Sequence, residues 1–207
     1  TTEIYTLSLH DALPICAPEF TGSIFHIRLD RGVGAAFWKD GAIFVGDNFR
    51  AMEIGHMVLN PGGPLCRCGN RGCLEAIAGL DGIRRRVLEL AANRVHTSLS
   101  FEHFELRDLT AAVAAGDRPA TLLASDIAEQ IAPAFAMVAA LLNPGLIVIS
   151  GEWKNLGEAL LGPVRRVLKE RCLPGTVAEL RLELSELDEL AGAHGAARML
   201  FERYLLN

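Results

Sequence analysis

Two stretches decide how this chain is read: Glu53-Ile54-Gly55-His56, and CRCGNRGCLE from Cys66 to Glu75. Cys66, Cys68 and Cys73, with His56 upstream, supply three thiolates and one imidazole. That is a full tetrahedral set for zinc with no open position, hence a structural and not a catalytic ion. Gly62, Gly63, Gly69 and Gly72 give the intervening backbone room to converge the four ligands. Read blandly, the same residues are three buried free cysteines in a glycine-rich loop, but their crowding between 66 and 73 favours metal in a reducing compartment. Cys172, alone at a helix end, reads as an ordinary thiol.

Around this loop the pattern alternates between strands and helices. Ser23 to Leu29 is β-rich; Gly32 and Gly34 follow, then a second run from Ala35 to Trp38. Asp40-Gly41 signals a two-residue hairpin, with Ala42 to Val45 as the return strand. Phe49 to Gly72 reads as an irregular insertion. Apolar spacing predicts helices over Leu74 to about Arg94, Leu106 to Ala115, and Pro119 to Leu142, the last with a kink at Pro133. Leu146 to Ile149 (LIVI) has the continuous apolar character of a buried strand. A helix from about Leu156 to Arg171, a strand from Leu180 to Leu184 and a final helix from Ala191 to Leu205 complete the pattern. Strands followed by helices, with glycines at the strand ends, indicate an α/β lobe that binds ligands at the carboxyl ends of its strands.

Bulk properties narrow the partners. Half of the 207 residues are apolar, enough for a substantial core, and the net charge of −5 argues against an extended nucleic-acid or membrane surface. No uninterrupted apolar run approaches the roughly 20 residues of a membrane helix, and no stretch has the make-up of a signal peptide. The expectation is a cytoplasmic protein. The chain opens at Thr1, and residues 1–15 (TTEIYTLSLHDALPI) read as the in-frame translation of a sequencing-adapter oligonucleotide. Such a stretch is set aside in fold reasoning, leaving residues 16–207 as the natural lobe, with Cys16 at the junction.

The run E-I-G-H followed by CRCGNRGCLE resembles the signature of the ROK family of repressors and sugar kinases. The resemblance extends through Leu142-Asn143-Pro144 to the small-residue start of the last helix. It implies an actin-like, ribonuclease-H-like fold, of which this chain is similar to the C-terminal lobe, with the zinc motif at residues 53–75 and the N-terminal lobe missing. It also implies that Glu53, His56 and Glu75 hydrogen-bond the hydroxyls of a small-molecule sugar on one concave surface. Carboxylates suit hydroxyl donors, and a metal on one imidazole nitrogen fixes which nitrogen meets the ligand. On burial statistics alone, each glutamate would be read as a solvated surface charge.

Kinases and repressors of the family share this lobe, and both remain open. Kinases use an aspartate base in the other lobe, with ATP and Mg²⁺; repressors bind DNA through a separate N-terminal region. Where kinases typically carry Gly-Thr-Gly, this chain has Asp30-Arg31-Gly32, then Val33-Gly34. A carboxylate about 4 Å from a phosphate costs roughly 4 kcal/mol at an effective dielectric near 20, which Arg31 or magnesium would partly offset. At the second nucleotide contact, Ser150-Gly151-Glu152-Trp153 brings a carboxylate and an indole. The expectation is the sugar-binding effector lobe of a repressor, a homo-oligomer without a membrane partner. A sugar kinase is the alternative, and a purely structural domain the third reading.

Overall fold

The computed structural model describes residues 22–186. The expectations for Thr1 to Ile15, Cys16 and the helix from Ala191 to Leu205 lie outside the described residues. Among the described residues, a mixed five-stranded sheet runs in the order β3-β2-β1-β4-β5. Its strands are β1 (Ile24–Leu29), β2 (Val33–Lys39), β3 (Ala42–Ile43), β4 (Leu146–Ser150) and β5 (Arg181–Leu184). β1 pairs antiparallel with β2 and parallel with β4, so LIVI is a central strand, buried throughout.

Side-chain alternation gives both faces of the sheet a core. Phe25, Ile27 and Leu29 of β1 join Ile147 and Ile149 of β4 in the main cluster. Ile24, Ala36, Leu146 and Val148 form a smaller cluster built from the alternate positions. Buried His26 belongs to those alternate positions as well, its Nε2 2.7 Å from Ser150 Oγ.

The helices are α1 (Leu74–Ala78), α2 (Leu80–Ala92), α3 (Leu106–Ala114), α4 (Arg118–Leu142), α5 (Glu158–Arg171) and α6 (Pro174–Glu179). α4 has clear local causes. The Asp117 carboxylate accepts from Ala120 N, Pro119 sits in the first turn, and Asn143 closes the helix in the left-handed region ahead of Pro144. It is long and apolar enough to cross a membrane, yet Leu123, Ile127, Ile131 and Phe135 are buried in the main cluster, and it packs along α5.

Several expectations need correction. The helix foreseen over Leu74 to Arg94 is two helices, broken at Gly79 (φ −75°, ψ 167°). The break lets Leu80 N, unsatisfied at the start of α2, donate to Arg31 O at 3.1 Å, and so docks the junction on the β1–β2 turn. β3 stops at Ile43 instead of Val45, and Pro133 lies within a helix assigned without interruption. A 3₁₀ turn from Glu152 to Leu156 precedes α5, and α6 was not foreseen. The Asp40-Gly41 hairpin stands, with φ of 53° and 81° at its two corner residues.

Candidate functional site

The metal-ligand cluster forms from short-range contacts. A 3₁₀ turn, Ile54–His56, follows Glu53, and Leu74 N donates to Met57 O at 2.9 Å, tying the turn to α1. Val58 bridges Cys73, and Leu65 bridges Arg71. Within this frame Cys66 N donates to Asn70 O and Gly69 N to Cys66 O, folding a tight knuckle. Gly72, at φ 75°, could carry no side chain, because a Cβ there would lie 1.7 Å from Asn60 O.

The ligand atoms of His56, Cys66, Cys68 and Cys73 all lie within 4.8 Å of one another. A tetrahedral ion with the usual zinc bond lengths spaces its sulfurs about 3.8 Å apart, and sulfur from nitrogen about 3.6 Å. Cys68 Sγ is 3.7 Å from Cys73 Sγ, and Cys66 Sγ is 3.6 Å from His56 Nδ1. Donor chemistry and spacing therefore fit a closed four-ligand metal site. Because Nδ1 faces the sulfurs, the arrangement leaves Nε2 for a second partner. Burial pushes the Cys73 thiol up to about 12 and raises Cys66, while the Asn70 backbone N–H lowers the exposed Cys68. A dication supplies the charge that keeps such crowded thiols ionised.

A second feature lies at the carboxyl end of β1. A cavity of about 270 Å³ is lined by the turn residues Asp30, Arg31 and Gly32, by Gly34, and by Glu75, Arg67 and Arg84 among others. Glu75, on α1, is 8% exposed. Its Oε2 accepts from Val33 N at 3.0 Å and from Arg67 Nη2 at 2.9 Å, and its Oε1 is 2.7 Å from Arg67 Nε. The carboxylate is thus buried but charge-paired, the condition under which a buried charge is tolerated, with one acceptor position on Oε1 still unused. Glu53 and His56 are not among the cavity's lining residues; Glu53 precedes, and His56 ends, the 3₁₀ turn that packs against β2 and α1. The structure therefore joins Glu75 to the Asp30-Arg31-Gly32 turn, and His56 to the cysteines.

Two electrostatic expectations change. Asp30 is neutralised by Arg28, whose Nη2 is 2.6 Å from Oδ2, and not by Arg31. Arg31 instead reaches Glu105 at 2.9 Å, and Glu105 also meets Arg84 at 3.3 Å. Trp153 is not a nucleotide-facing residue. It is 2% exposed and its indole N–H donates to Ala78 O at 3.0 Å, so it belongs to the core. Glu152 does face the turn region: it accepts from Thr110 Oγ1 at 2.6 Å and lines a shallow space with Asp30, Arg31, Glu105 and Arg107. Gly151, at φ 83°, is glycine for packing, since a Cβ would lie 2.2 Å from Leu29 O.

Sequence reasoning passed over Arg28, Arg67 and Arg84. Only Arg67 carried a local signal, since it stands between two ligands in Cys66-Arg67-Cys68; the other arginines reach the site through strand and helix placement.

Comparison with known proteins places these features. A glucokinase of Thermotoga maritima is 33% identical over 186 residues, covering 87% of this chain and 58% of its own length. The DNA-binding transcriptional dual regulator NagC of Escherichia coli K12 is 32% identical over 181 residues, covering 87% and 44%. The chain thus spans about half the length of these curated relatives. A solved ROK family transcriptional regulator, a homologue of the E. coli Mlc protein, matches with a TM-score of 0.85 at 28% identity, over 97% of this chain and 52% of its own. Solved sugar kinases share the fold, which is the actin-like ATPase type. With the family model matching residues 17–203, the chain belongs to the ROK family.

Proposed function

We propose that this chain is the sugar-binding effector lobe of a ROK-type transcriptional repressor, with structural zinc on His56, Cys66, Cys68 and Cys73. The carrying observation is the charge arrangement at the β1–β2 turn. Asp30 occupies the turn with its own arginine partner, Arg31 is committed to Glu105, and Glu152 adds a further carboxylate beside them. A nucleotide phosphate brought to this turn would meet the Glu152 carboxylate beside two arginines, Arg28 and Arg31, already engaged by Asp30 and Glu105.

In this reading Glu75 receives the sugar within the cavity, and Glu53 and His56 meet it from the adjoining segment that packs on α1 and β2. Binding favours one arrangement of two lobes over another, and that preference couples to DNA affinity in a region outside this lobe. The repressor is cytoplasmic and acts as a homo-oligomer.

The kinase reading is favoured by the 33% identity to glucokinases, as high as that to any curated repressor reported above. A coupled ATP-consumption assay on the full-length protein with glucose, N-acetylglucosamine and N-acetylmannosamine separates the two. The expected result is sugar binding by calorimetry with no sugar-dependent ATP turnover. Robust turnover with any of the three makes the protein a kinase using ATP and Mg²⁺ and overturns the repressor reading. Absence of binding by all three favours a purely structural domain.

A further inference from the structure

Arg67 stands between two metal ligands in sequence, yet its side chain leaves the metal loop and reaches α1. Its guanidinium forks onto Glu75, Nε at 2.7 Å from Oε1 and Nη2 at 2.9 Å from Oε2. This is the bidentate arrangement that fixes a carboxylate in one plane. Val33 N occupies a further lone pair on Oε2. A carboxylate accepts about four hydrogen bonds, so the pairing leaves Glu75 with its free capacity on Oε1.

The guanidinium itself is not used up. Arg67 is 51% exposed and lines the same cavity as Glu75. Two of its N–H groups serve Glu75, and the others are directed away from that carboxylate. The turn lies directly against the pair. A Cβ on Gly32 would sit 2.9 Å from Glu75 Oε2 and 3.6 Å from Arg67 Nη2. One wall of the cavity therefore presents a fixed acceptor beside a fixed set of donors.

Resting on the sugar-site reading above, we propose that Arg67 determines specificity there: it holds Glu75 in one orientation and offers its remaining N–H groups to the ligand. The pair then takes two adjacent hydroxyls of one sugar, one as donor to Glu75 and one as acceptor from Arg67. Vicinal hydroxyls match such a donor–acceptor pair, and a sugar lacking either leaves one protein group unpaired. The metal loop contributes by fixing the backbone on both sides of Arg67, through Cys66 and Cys68.

The test is calorimetric titration of the purified protein with D-glucose, N-acetyl-D-glucosamine and the 2-, 3-, 4- and 6-deoxy-D-glucoses, repeated with Arg67→Met and Arg67→Lys. For the unaltered protein, two neighbouring monodeoxy sugars should each bind about 5- to 100-fold more weakly than glucose. In Arg67→Met the loss at the position served by Arg67 should vanish, and the loss at the other should shrink as Glu75 gains freedom. In Arg67→Lys a single ammonium cannot span both carboxylate oxygens and also serve the ligand, so its discrimination should fall between the two. Metal content should be equal in all three, which separates loss of recognition from loss of the loop. If Arg67→Met does not hold metal, Arg67→Lys, which keeps the cation and its stem, carries the test. Unchanged relative losses in the metal-loaded variants overturn the role of Arg67 and leave the sugar site standing. Failure of every sugar to bind the unaltered protein overturns the sugar site, and this proposal with it.

Discussion

The metal loop and the cavity at the β1–β2 turn lie side by side, yet they are specified differently. The loop's four ligands fall between His56 and Cys73, and its hydrogen bonds close within the same segment. The cavity draws Arg28 and Asp30 to Gly34 from the sheet, Arg67 from the loop, Glu75 from α1 and Arg84 from α2, with Glu105 bracing it from the start of α3. A site built from neighbours in sequence can be read from spacing. A site built from four elements depends on how those elements dock, and there an arginine serves whichever carboxylate the fold brings near.

The sharpest way to break this contrast is at Cys73, which is fully buried and joins the loop to α1. Structural zinc contributes about 10–16 kcal/mol of apparent binding energy in finger peptides. Cys73→Ser should therefore abolish stoichiometric metal by elemental analysis and lower the melting temperature more than any other change proposed here. If it also releases Glu75, sugar affinity should fall in the same variant. Retained metal at one ion per chain would show that the four residues do not form the site.

Gly151 comes next, because it sits where β4 ends against β1. Gly151→Ala forces a side chain at φ 83° into Leu29 O, a backbone clash added to about 1–3 kcal/mol of conformational strain. Urea denaturation should show a loss of at least that size, with metal content unchanged in the folded fraction. Wild-type stability would mean the strand ends are more loosely packed than described.

Trp153 tests whether the second nucleotide contact is structural. Trp153→Phe removes the donor to Ala78 O and should cost about 1–3 kcal/mol by leaving that carbonyl unpaired, plus some packing. Sugar affinity should be unaffected. A change in sugar or nucleotide affinity without a change in stability would restore the indole to the site.

The smallest expected effect is at Asp117, remote from both regions, which makes it a control. Burial would raise its carboxyl, but backbone N–H groups of Ala120 and Ser98 and the hydroxyls of Ser98 and Thr97 outweigh that and bring it down to about 2. Because the folded-state value is depressed, its stabilising contribution is present above the ordinary carboxylate range. That contribution is lost as pH falls from about 4 toward 2. Asp117→Ala should cost about 1 kcal/mol at neutral pH, the usual worth of a helix N-cap, and the difference should disappear in that acid window. A difference that persists below pH 2, or one that alters metal content or sugar binding, would show that Asp117 acts by another route.

Much of the fold was legible because its causes are local. LIVI has the continuous apolar character of a buried strand, Asp40-Gly41 could supply the two positive-φ corners of a hairpin, and the apolar spacing from Pro119 onward marks a long helix. The metal ligands were legible because thiolates at that spacing have few other uses. The break at Gly79 was not, since helical periodicity continues across it and only the nearby Arg31 carbonyl makes an interruption favourable. Nor was the fate of the charges. Sequence placed Asp30 beside Arg31, but strand geometry returned Arg28 to it and sent Arg31 to Glu105. Sequence placed Trp153 beside Glu152, but the 3₁₀ turn buried one and left the other near the cavity. Composition and spacing thus determined which groups this protein possesses and which short segments they rigidify. Their pairing was decided by tertiary structure, because a charge or an indole interacts over a few ångströms in space, whatever its distance along the chain.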